Sequence, residues 1–265
     1  QDGHSHILAA TIPNCVAYDP CFGFELAVII HDGLQRMYVN QERVFYYLTL
    51  MNENYDQPAL PEGAEEGIKR GMYVFESDEK ATVQLLGSGV ILREVIKAAQ
   101  ILRDEYQIHS NVWSVTSFNE LARDGMAVEE YNRLHPLEDG QESWVSQQLR
   151  NTQGIVVSAT DHMRAYSEQI RAYLPDSRPY VTLGTDGYGR SDTRGNLRSY
   201  FGVDAAHIVV ATLKKLADEG EVDARLVKDA MSSFELDVDR PVAWLPQVHP
   251  TTQDVAPYAE PTEEK

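Results

Sequence analysis

From residue 83 onward the chain alternates between two hydrophobic periods, and no other feature of the sequence constrains its fold as strongly. Val83-Gln84-Leu85-Leu86 is a short apolar run closed by the turn Gly87-Ser88-Gly89, and it reads as a strand. Residues 90–106 then place Ile91, Leu92, Val95, Ile96, Ala99 and Leu102 at three- and four-residue steps, the stripe of an amphipathic helix. Further strands are read at 111–118, 154–158 and 180–183, and a further helix at 164–174. Asp204 is placed to cap a helix over 205–219 that stops at Gly220. Strand and helix in alternation predict an α/β fold, with a mostly parallel sheet, right-handed crossovers and flanking helices.

Before residue 83 the pattern is less regular. Residues 23–30 read as a helix that ends at Gly33, and 44–50 as a parallel strand buried on both faces. The stretch 56–63, rich in Pro and Gly, reads as a linker. Residues 239–265 carry five prolines and end on Glu263-Glu264-Lys265, so an extended or disordered tail is expected there. With 265 residues, 43% of them hydrophobic, the chain can bury the core of one and a half to two domains.

Charge narrows the function classes. Forty-one acidic residues against 23 basic ones leave a net charge of −18, which repels phosphate backbones and anionic lipid. Neither nucleic acid nor a membrane is therefore expected as a partner. No apolar run approaches the ~18 residues that span a bilayer. The opening residues lack a signal-peptide pattern, and a cytoplasmic location is the expectation. The only two cysteines, Cys15 and Cys21, lie in apolar surroundings and read as buried, reduced thiols.

Several polar groups are candidates for chemistry. Asp2, His4 and His6 would share one face of an extended segment, where a carboxylate and two imidazoles suit zinc, iron or nickel. The other readings of the same residues are a solvated polar terminus or tag-like scar, and a substrate-facing loop. Gly87-x-Gly89 could cradle a phosphate at a helix N-terminus, but Leu92 stands where the dinucleotide fingerprint needs a third glycine, so a plain tight turn is the simpler reading. Residues 184–192 form a glycine-rich loop after a strand, a place where function collects in open α/β sheets, although a structural turn is the plainer account. Asn52, Glu53, Asn54 and Tyr55 also follow a strand, and Glu53 could orient a ligand or cap the next turn. His31, His109, His135, His162 and His207 are isolated along the chain and read as hydrogen-bonded or surface histidines. Spacing alone yields no catalytic mechanism.

Taken in order, the landmarks carry more. Asp2-Gly3-His4-Ser5-His6, Thr11-Ile12-Pro13-Asn14, His31-Asp32-Gly33-Leu34 and residues 50–55 are followed by 61–68, 83–89, 114–125 and 183–192. This series, over residues 1–240, resembles the C-terminal part of the homodimeric bacterial pyruvate dehydrogenases of the transketolase-like superfamily. The resemblance implies the second half of a pyrimidine-binding domain at 1–56, a linker at 57–74 and a transketolase C-terminal-like domain at 75–238. It implies thiamine diphosphate and Mg2+ as cofactors, pyruvate as substrate, a homodimer, and the dihydrolipoamide acetyltransferase component with its lipoyl domain as partner.

In related transketolases an Asp-Gly-x-x-His segment faces the substrate. Asp2 and His6 keep that spacing, with His4 as a weaker neighbour. The Gly-Asp-Gly…Asn segment that carries magnesium in the family has no counterpart here, since Thr185-Asp186-Gly187 is a different motif. The chain is thus expected to belong to a longer protein, with the cofactor acid and one active-site histidine upstream of Gln1, and to be inactive alone. The alternatives are a non-catalytic interaction or regulatory module on the same fold, and a small metallohydrolase built on Asp2, His4 and His6.

Overall fold

In the computed structural model, residues 3–239 are described. The chain opens with α1 (Ser5–Ala10), β1 (Cys15–Tyr18), α2 (Gly23–Leu34), β2 (Phe45–Leu48), α3 (Glu65–Arg70) and β3 (Met72–Glu76). There follow β4 (Val83–Gly87), α4 (Leu92–Tyr106), β5 (Ser110–Val115), α5 (Phe118–Leu134), α6 (Trp144–Leu149) and β6 (Ile155–Ala159). The last elements are α7 (Arg164–Glu168), β7 (Tyr180–Leu183), α8 (Arg194–Phe201), α9 (Ala205–Asp218) and α10 (Ala224–Ser233).

Five strands form one sheet in the order β3-β5-β4-β6-β7. All neighbours are parallel except β3 and β5. The expected α/β fold is therefore present. β4 is buried along its whole length, because successive side chains point to opposite faces and helices cover both. Val83 and Leu85 join the α4 and α9 side, packed on Val95, Leu102, Val209 and Leu213. Leu86 joins the other side, with Trp113, Phe118, Leu121, Leu149 and Tyr166.

β1 and β2 make a separate two-stranded parallel sheet, in register from Cys15↔Phe45 to Tyr18↔Leu48. β2 is parallel as expected but not buried on both faces: Phe45 is exposed and the rest half-buried, since the strand has a single partner among the described residues. Gly33 does not end its helix. It lies within α2, where any side chain would crowd the Tyr46 ring at 3.3 Å, and the helix runs on into a π-helical turn, Gln35–Val39.

Three other boundaries move. The segment expected as linker, 57–74, holds α3 and the start of the antiparallel strand β3. The strand expected over 111–118 stops at Val115, because the Ser117 hydroxyl accepts the Glu120 N–H at 3.0 Å and starts α5. The helix expected over 164–174 breaks after Glu168 and resumes as a 3₁₀ turn at Arg171–Tyr173. α9 begins as expected, with the Asp204 carboxylate accepting the His207 N–H at 3.0 Å. The Pro-rich stretch at 240–265 lies outside the described residues. No helix among the described residues is long and apolar enough to cross a membrane.

Candidate functional site at the meeting of two sheets

The carboxyl ends of parallel strands gather the site. The Asp19 N–H, just past β1, donates to the Thr116 carbonyl just past β5 at 2.8 Å, so the two sheets meet end to end. The residue after four of these strands is then polar and short: Asp19 after β1, Thr49 after β2, Ser88 after β4 and Thr160 after β6. Open α/β sheets place their ligand crevices at this edge.

Asp19 is the centre. Its Oδ1 accepts the Thr49 hydroxyl at 2.6 Å and its Oδ2 accepts the Ser88 hydroxyl at 3.0 Å. His162 Nε2 stands 3.4 Å from Oδ2, and Thr160 Oγ1 lies 2.8 Å from Ser88 Oγ. His6 Nε2 is 2.8 Å from Thr49 Oγ1. The His6 ring packs against His162 at 4.4 Å, Tyr166 at 4.7 Å and Tyr47 at 5.4 Å between centroids. All but the Thr49 end of this network are buried.

Burial alone would raise the Asp19 carboxyl, but the charge and hydrogen bond of His162, followed by His6 and Thr49, outweigh it and hold the group at about 2. A carboxyl depressed in the fold stabilises it above the unfolded value of about 4, and that contribution is lost as pH falls toward 2. The stability advantage of the wild type over Asp19→Asn is therefore expected to shrink by on the order of 2 kcal/mol between pH 5 and pH 2, measured by urea unfolding.

A cleft of about 570 Å³ opens beside this network, lined by Asn52, Asp161, His162, Thr185, Arg190 and Arg194 among others. Burial pushes the Asp161 carboxyl up. Arg190 lies 4.7 Å over the Tyr200 ring, and Arg194 donates to Asn52 Oδ1 at 2.7 Å. Glu53 binds Arg93 and Arg198, each at 2.8 Å. Burial works against its charge, yet those two guanidinium groups hold its carboxyl below the usual range. The Tyr55 hydroxyl donates to the Cys21 carbonyl, and both cysteines are buried and free.

The residues singled out in the sequence are dispersed. Asp2 lies outside the described residues. His4 is the N-cap of α1, so the segment is helical rather than extended, and His4 and His6 diverge by roughly 200° around the axis. His6 turns inward and is fully buried. Gly3 packs against the Thr185 carbonyl, where a side chain would come within 2.7 Å, and thereby lays this segment on the loops after β6 and β7. The Gly184–Arg190 loop is a structural turn in large part, with Asp186 accepting from Arg164 N and Nε at 2.9 and 2.6 Å.

His162, read as an isolated histidine, is instead part of the site. Asp19, Thr49, Ser88 and Thr160 carry no catalytic motif in the sequence. The usable signal was a short polar residue directly after an apolar strand.

The phosphate reading of Gly87-x-Gly89 is replaced by an internal anion. Gly89 has φ +51°, its N–H donates to the Asp19 carbonyl at 2.9 Å, and the Asp19 carboxylate lies where a Gly89 side chain would be.

Among the described residues, His6, Asp19 and His162 bring metal-ligand atoms within 4.8 Å of one another. Magnesium asks for about six oxygen donors. Two imidazoles and one carboxylate already engaged at both oxygens do not fit it, and Asp186 is taken by Arg164. This cluster therefore does not fit a magnesium diphosphate.

Residues 1–58 match the pyruvate dehydrogenase E1 component middle domain, and residues 71–204 match the transketolase-like TK C-terminal domain. The chain belongs to the transketolase-like family. Within it, the chain is 52% identical over 243 residues to the pyruvate dehydrogenase E1 component of Pseudomonas aeruginosa, covering 91% of this chain and 27% of that protein. It is 53% identical over 243 residues to the same component of Escherichia coli, with the same coverage. The chain thus spans about a quarter of the length of these relatives, 27% in each case. The solved transketolase from Leishmania mexicana superposes with a TM-score of 0.58 at 16% identity, over 93% of this chain and 28% of that one, and shares its fold.

Proposed function

We propose that this chain is the C-terminal portion of a thiamine-diphosphate- and magnesium-dependent pyruvate dehydrogenase. The whole enzyme decarboxylates pyruvate and reductively acetylates the lipoyl group of a dihydrolipoamide acetyltransferase component. The observation that carries this reading is identity above half to pyruvate dehydrogenase E1 components along 91% of the chain. In this reading the cofactor and its metal are held by parts of the enzyme outside this chain, in keeping with the misfit of magnesium to Asp19, His6 and His162.

The chain's own share is a wall of the active site and a dimer surface in the cytoplasm. His162 lines the cleft, Asp19 holds it from behind, and Asn52, Arg190 and Arg194 supply polar groups at the same opening. A ring held in that way keeps its orientation and gives the cleft a fixed wall for a substrate. Ile30, Leu34 and Tyr38, exposed at 46, 49 and 74%, recur every four residues along α2 and its π-helical continuation. Such a stripe supports dimerisation.

A chimera carrying this chain in place of the matching 243 residues of the Escherichia coli relative is expected to decarboxylate pyruvate and to acetylate a lipoyl domain. The chain alone is expected to do neither. A chimera that folds and dimerises yet leaves pyruvate unchanged would refute the reading.

A further inference from the structure

One carboxylate sets the direction of every proton in the buried network. An ionised carboxylate only accepts hydrogen bonds. The charged and titratable groups around Asp19 are His6, His162, Tyr166, Asp161 and Cys21, and the two imidazoles favour its ionised form.

Thr49 has a single hydroxyl proton. Its oxygen is 2.6 Å from Asp19 Oδ1, a separation that requires a proton between the two atoms, so the proton points to Asp19. The Tyr18 carbonyl, at 3.5 Å, is too far to compete. Thr49 Oγ1 must then accept at its other contact, and the atom there is His6 Nε2 at 2.8 Å. Were Thr49 to donate to His6 instead, two oxygen acceptors would face each other at 2.6 Å with nothing between them.

The other arm runs the same way. Ser88 donates to Asp19 Oδ2, so Thr160 donates to Ser88, and Thr160 accepts the His162 backbone N–H at 3.2 Å. The His162 side chain presents Nε2 to the same carboxylate oxygen at 3.4 Å, where only the hydrogen-bearing nitrogen is compatible.

We propose that Asp19 is a positioning residue that fixes His6, through Thr49, and His162, directly, as Nε2–H tautomers, so that each neutral ring accepts a proton at Nδ1. The accepting Nδ1 atom of each ring is itself buried. A role for these rings in pyruvate chemistry rests on the function proposed above, whereas the tautomers themselves do not.

The test is a long-range 1H–15N correlation spectrum of the 15N-labelled chain, recorded at a pH where both rings are neutral. Wild-type protein is expected to show pyrrole-like Nε2 and pyridine-like Nδ1 signals for both histidines. Thr49→Val should mix or exchange the two signals of His6 and leave His162 unchanged. Asp19→Asn, which places an NH2 donor in the network, should perturb both. A wild-type spectrum with Nδ1–H on either ring overturns the proposal, and so do folded variants whose tautomers do not move. The wild-type arm needs no variant to fold. An inert chimera with both tautomers as expected would refute the pyruvate reading and leave this one standing.

Discussion

Replacing Glu25 with alanine is expected to lower the stability of the chain by about 4 kcal/mol and its melting temperature by roughly 10 °C. Glu25 is fully buried near the N-terminus of α2 and receives four donors. The Cys21 and Phe22 N–H groups donate to Oε2 at 2.6 and 2.9 Å, closing the first turn of the helix. The Tyr73 and Ser114 hydroxyls donate to Oε1 at 2.8 and 2.5 Å, from β3 and β5. Alanine strands all four away from water, and a buried donor without an acceptor costs about 1–3 kcal/mol. Glu25→Gln keeps one acceptor oxygen and turns an NH2 group on the remaining donors, so its loss should be smaller. Thermal unfolding of the three proteins decides the matter: a shift below about 2 °C for alanine would mean that these bonds contribute little.

The second large effect falls on the site itself. Gly89→Ala would place a methyl group 2.6 Å from Asp19 Oδ1 and 2.7 Å from its Cγ, on a residue whose φ is +51°. Left-handed backbone costs an alanine roughly 1–2 kcal/mol, and overpacking adds about 1–3, so a loss near 3 kcal/mol is expected. Gly63→Ala is the matched control. Its φ is +76° with nothing within 4 Å of the added carbon, so it feels only the backbone term. A further loss in Gly89→Ala over Gly63→Ala, accompanied by disturbed His6 signals, would identify the clash with Asp19 as the cause. Equal losses would refute it.

Local pattern made the central elements legible. The α4 stripe buries Leu92, Val95, Ala99 and Leu102 as its spacing demands, and Asp204 caps α9 because a short carboxylate before an apolar run does so wherever it occurs. β3 escaped notice because it is an edge strand with its second half exposed, and its pairing with β5 is set by contacts remote in sequence. α5 was hidden by the apolar run that flows out of β5, with only Ser117 to separate the two.

The site was harder still. Asp19, Thr49, Ser88 and Thr160 are ordinary residues one by one, and their meaning comes from four strands that end at one place. Resemblance pointed to His6 as facing a substrate, and the fold covers it. His162, which carried no local signal, lines the opening.

The Asp19 network also bears on how this protein can be recombined. Asp19, Glu25 and Thr49 lie in the stretch matched by one family description, 1–58, whereas Tyr73, Ser88, Ser114, Thr160 and His162 lie in the stretch matched by the other, 71–204. A crossover placed in the short interval between them looks harmless in sequence, since it cuts no matched region. In three dimensions it parts a buried carboxylate from its donors twice over, at Asp19 and at Glu25. A crossover there between parents that differ at these positions is expected to lose the buried contacts, so the two stretches are best exchanged together.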